Sequence, residues 1–66
     1  MEDIDIWRTA KILIDAHGDG ALAEASRRER DALEDGLPDA VAVWKRVMRA
    51  VEELQRGQPQ NAKILN

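Results

Sequence analysis

All four glycines and both prolines of this 66-residue chain fall at three places, leaving uninterrupted stretches of helix length between them. The places are His17-Gly18-Asp19-Gly20, Asp35-Gly36-Leu37-Pro38 and Gly57-Gln58-Pro59-Gln60-Asn61. Glycine supplies the left-handed conformation that ends a helix, and proline suits a helix's first turn, so these clusters mark ends and not interiors. Within the stretches Ala, Leu, Glu, Arg and Lys dominate, and no Val-, Thr- or aromatic-rich run alternates with period two. The pattern predicts an all-α three-helix bundle with helices over about 4–17, 20–35 and 38–56. Residues 1–56 then form one domain, and residues 57–66 a flexible tail in which Ile64 and Leu65 are the only large apolar residues.

Helical periodicity assigns a face to each stretch. In the first, Asp3 or Asp5 can cap the opening turn, and at about 100° per residue Ile6, Trp7, Ala10, Leu13, Ile14 and His17 share one stripe. Arg8, Lys11 and Asp15 lie opposite, while Ile12 and Ile4 fall off the apolar stripe and are left wet by a helix buried on one side. The second stretch, capped by Asp19 or begun at Gly20, is the least apolar. Leu22, Ala25, Ala32 and Leu33 line up on it, with Glu29 in the middle of the stripe. In the third, Ala40, Val43, Trp44, Val47, Met48, Val51 and Leu54, with Ala50 alongside, form a face wider than one neighbour normally covers.

The chain is short for such a face. A domain of this length buries only roughly 60% of the surface its unfolded form exposes, and one core of this size supplies only a few kcal/mol. With no cysteine there is no disulfide and no cysteine-based zinc site, and a single His17 precludes a multi-histidine metal site within one chain. Assembly with another chain is then the expected reinforcement.

Net charge is -3, which does not favour a polyanionic partner, although residues 37–66 carry five basic and three acidic side chains. No run approaches the roughly 18 apolar residues of a membrane span, and Glu2, Asp3 and Asp5 stand where a signal peptide has basic residues. A cytoplasmic location without membrane contact is expected.

Candidate chemistry is sparse. A histidine can serve as a general base or a metal ligand, but Asp15 and Asp19 are not aimed at His17 from a helix and a turn, so it reads as a helix-terminal cap or as partly buried against Trp7 or Trp44. Glu29 needs a partner if buried, with Arg28 or Arg46 the candidates. The clusters Arg27, Arg28, Arg30 and Lys45, Arg46, Arg49 resemble phosphate-contacting patches, yet acids interleave the first and no aromatic platform interleaves either. Trp7 and Trp44 read as core residues before they read as a ligand-binding pair. There is no G-x-G-x-x-G, P-loop, G-x-S-x-G, H-E-x-x-H or EF-hand loop. No catalytic residue, metal site or cofactor is expected, and the chain does not read as an enzyme.

The spacing Ile6-Trp7, Ala10, Leu13, His17-Gly18, then an Ala- and Arg-bearing second helix, then Gly36, Val43-Trp44, Val47, Ala50 and Leu54, resembles a family of short bacterial helical proteins of unknown function. The likeness covers roughly residues 4–56 and implies no activity and no set of functional residues. From the residues themselves, the expected function is a small interaction or regulatory module that pairs with a second copy, or with another protein. Its candidate interaction surface is Ile4, Ile12, Val43, Trp44, Val47, Met48 and Val51. The alternative is a helix-turn-helix nucleic-acid binder, which the overall acidity and the lack of Asn, Gln or Ser at outward mid-helix positions disfavour.

Overall fold

The computed structural model describes residues 3–57, which are all-α and contain no strand. Helix α1 spans Asp3–His17, α2 spans Ala21–Glu34 and α3 spans Pro38–Arg56, with one 3-10 turn over Gly18–Gly20 between the first two. Residues 58–66 lie outside the described residues, and with them the expectations for Ile64 and Leu65.

The helix ends follow from the punctuation, with one exception. Gly18, at a φ of 55°, and Gly36, at 71°, take the left-handed conformation expected of them. After α2 the Leu37 N-H donates to the Ala32 carbonyl at 3.0 Å and the Gly36 N-H to the Leu33 carbonyl at 3.1 Å, the paired bonds of a Schellman turn. Pro38 then opens α3, where its missing N-H leaves no helical bond unmade. The exception is the start of α2, expected to be capped by Asp19 or to begin at Gly20; the helix begins at Ala21. The capping position belongs to Gly20, no side chain bonds there, and Asp19 sits inside the 3-10 turn.

These tight connections set the directions of the helices. Each helix touches the other two, and α2 and α3 run antiparallel, with Arg28 against Trp44 and Glu29 against Lys45 across their seam. Gln55, in the last turn of α3, confirms the register: its Nε2 donates to the Gly18 carbonyl at 2.9 Å.

The core is narrow and rich in alanine. Ile6, Ala10 and Leu13 of α1, Ala21 and Ala25 of α2, and Val47, Ala50 and Val51 of α3 form one buried cluster. Small side chains at the contacts let the helix axes approach closely, which is how a chain of this length excludes water from its centre. Ile14, Leu22, Val43, Trp44, Met48 and Leu54 pack around the cluster, half-buried. Among the described residues no polar or charged side chain is buried, and no buried side-chain polar atom lacks a partner.

Two sequence expectations for the stripes are corrected. Trp7, placed on the core stripe of α1, is 44% exposed, because Ile6, Ala10 and Leu13 take the centre and Trp7 sits at the flank. Leu33, expected to line the stripe of α2, is 60% exposed, and Leu37 in the turn that follows is 51% exposed: the backbone turns back, but the side chains stay in solvent.

Candidate interaction surface

The seven residues expected to form one surface separate into two groups. Ile4 and Ile12 of α1 are exposed, at 63% and 60%. Val47 and Val51 are fully buried inside the subunit, and Val43, Trp44 and Met48 are half-buried against the same core. The reason is geometric. One neighbour covers only part of a wide helical stripe, whereas α3 meets both α1 and α2, which together cover most of it. Val47 and Val51 are therefore core residues and not part of a docking face.

Around the α2-α3 seam the charged residues are tied to one another. Glu24 receives Arg27 Nη2 at 2.6 Å and Arg28 Nε at 2.8 Å, and Arg27 Nη1 reaches Asp31 at 3.3 Å. Hydrogen bonds from Arg27 first, and then from Arg28, hold the Glu24 carboxyl at a pKa of about 2. Held by Glu24, Arg28 lies over the Trp44 ring at 5.4 Å from its centroid, a cation-π contact between α2 and α3. Glu29 pairs across the same seam with Lys45 at 3.8 Å, not with Arg28 or Arg46. Two arginines of the first basic cluster are thus engaged within the subunit, as is the lysine of the second.

The α1-α3 seam opens instead into a groove of about 460 Å³. Buried Ile6 and Ala50 lie at its base, Trp7 on its α1 wall, Lys45, Arg46 and Arg49 on its α3 wall, and Asp3 and Glu53 at its margin. The two tryptophans occupy different seams: Trp44 receives its cation from α2, while Trp7 lines the groove between α1 and α3. His17 is exposed at the end of α1, so burial against either ring does not occur. Among the described residues, no group of three or more His, Asp or Glu side chains is arranged to hold a metal ion.

No family model, curated protein or solved structure matches this chain. The surface chemistry alone therefore bears on function.

The groove and the Gln55 contact escaped sequence reading. Gln55 carries no signal, being one polar residue in a helix's last turn. The groove left a partial one: no aromatic residue interleaves the basic cluster on α3, and the fold brings Trp7 to it from a distant stretch. Among the described residues no helix is long and apolar enough to cross a membrane.

Proposed function

We propose that the chain works as a three-helix bundle in the cytoplasm, a small protein-interaction or regulatory module that pairs with a second copy of itself. The observation that carries this reading is the exposure of Ile4 and Ile12 on the outward side of α1, a helix whose inward stripe is already filled. Leu33, near the end of α2, and Leu37, in the turn after it, are exposed as well. Aliphatic side chains left on the outward side of a helix suit a two-fold contact in which each patch meets its own copy. The likeness to short bacterial helical proteins belongs to the same proposal and transfers no functional residue.

The nucleic-acid reading loses support where it needs it, since Arg27 and Arg28 are held by Glu24 and Lys45 by Glu29. Sedimentation equilibrium at micromolar concentration tests the pairing. The expected mass is twice the 7.4 kDa of one chain, returning to 7.4 kDa in the double variant Ile4→Lys, Ile12→Lys with helicity retained. A single 7.4 kDa species of the unaltered protein across that concentration range would overturn the proposal.

A further inference from the structure

We infer that the groove between α1 and α3 is a binding site for a small aromatic anion, a planar apolar body bearing one carboxylate, sulfonate or phosphate monoester. The inference concerns a different face from the one proposed for pairing and does not depend on it.

Three observations converge on this class of ligand. The first is the state of the cations. Arg8, Arg27, Arg28, Lys45 and Arg56 each sit within reach of a carboxylate, whereas Lys11, Arg30, Arg46 and Arg49 have no ion-pair partner among the described residues. Of these four, Arg46 and Arg49 line the groove, and both are exposed. Three positions apart on a helix they are neighbours, so two guanidinium groups can address one anionic head. The second is the aromatic wall. Trp44 already carries Arg28 over its ring, while Trp7 is 44% exposed, lines the groove and has no such cation. Its π-face is available for a planar ligand to stack on. The third is size and floor. A volume of about 460 Å³ falls within the roughly 300 to 1,000 Å³ of small-molecule sites, and Ile6 with the short Ala50 gives an apolar base.

The margin narrows the class further. Asp3 and Glu53 flank the basic wall, and a strand of nucleic acid running through the groove would bring successive phosphates against them. One anionic head placed at Arg46 and Arg49 avoids that repulsion. Glu53 is in part neutralised by Arg56, at 3.7 Å, whereas Asp3 has no ion-pair partner among the described residues.

The test uses 1-naphthoate as probe and the whole chain, followed by the two indole N-H resonances in a proton-nitrogen correlation spectrum. The Trp7 resonance is expected to shift on titration while that of Trp44 stays, and the double variant Arg46→Gln, Arg49→Gln is expected to bind about tenfold more weakly or worse. Both arginines are exposed, so the variant should keep its circular dichroism. Inorganic phosphate, which lacks the ring, and 1-naphthalenemethanol, which lacks the charge, should each bind more weakly than naphthoate. Binding should persist in the Ile4→Lys, Ile12→Lys variant, which separates this site from self-association. The inference is overturned by an unmoved Trp7 resonance, by equal shifts at both tryptophans, or by unchanged affinity in the arginine double variant. A control ligand that matches naphthoate overturns it too, and a single-stranded oligonucleotide that outcompetes naphthoate would give the groove to a polyanion instead.

Discussion

Gln55 and Gly18 are joined by a hydrogen bond of 2.9 Å that ties the last turn of α3 to the residue ending α1. The Gly18 carbonyl, just beyond α1, accepts from the Ala21 N-H within the 3-10 turn and also from this side chain 37 positions away. The bond links the α1-α2 connection to α3, and it closes the end of the α2-α3 pair opposite the exposed leucines. Replacing Gln55 with Ala should lower stability by about 0.5 to 1 kcal/mol, a drop of a few degrees in Tm for a domain of this size. Thermal unfolding followed by circular dichroism measures it, and an unchanged Tm would mean that water serves the carbonyl equally well.

Val47 and Val51 are fully buried, and so test whether they belong to the core or to an interface. Val47→Ala removes buried methyl groups and leaves a cavity, with an expected cost of roughly 2 to 3 kcal/mol. In a domain this small that is a large share of the total. Urea unfolding should register the loss to the same extent at low and high protein concentration. A cost that appears only at concentrations where chains pair would return Val47 to the interface.

Glu24 provides the pH dependence. Its carboxyl is held at about 2 in the folded chain against an ordinary value of 4.5, so folding favours its charged form. The stability this contributes is fully present above about 4.5 and is lost as pH falls toward about 2. Glu24→Gln should therefore flatten the acid limb of the stability profile within that window and leave its shape near neutrality unchanged. Equal acid limbs in the two proteins would show that Arg27 and Arg28 do not hold the carboxylate in solution.

Gly36 adopts a φ of 71°, and a β-carbon added there would meet nothing within 4 Å. The cost of Gly36→Ala is then backbone strain without a clash, about 1 kcal/mol, because an L side chain disfavours the left-handed region. Calorimetry should find a lowered Tm with the helical content preserved. A neutral substitution would place the turn in another conformation in solution.

The helices, their order and nearly all their ends were determined by local sequence: glycines and a proline at fixed places, good helix formers between them, and a 3.6-residue apolar period. These are properties of a few consecutive residues, and the residues dictate them unaided. Exposed Ile4 and Ile12 were legible for the same reason, since a helical wheel places them away from the stripe. What covers a stripe is a matter between helices. The wide face of α3 reads alone as surplus oily surface, and only its simultaneous contact with α1 and α2 buries Val47 and Val51. The same holds for the polar pairs. Lys45 meets Glu29, Arg28 meets Trp44, Gln55 meets Gly18, and Trp7 joins Arg46 and Arg49 because the packing of the helices brings together residues far apart in sequence. Distances between helices are set by packing, which no single stretch encodes.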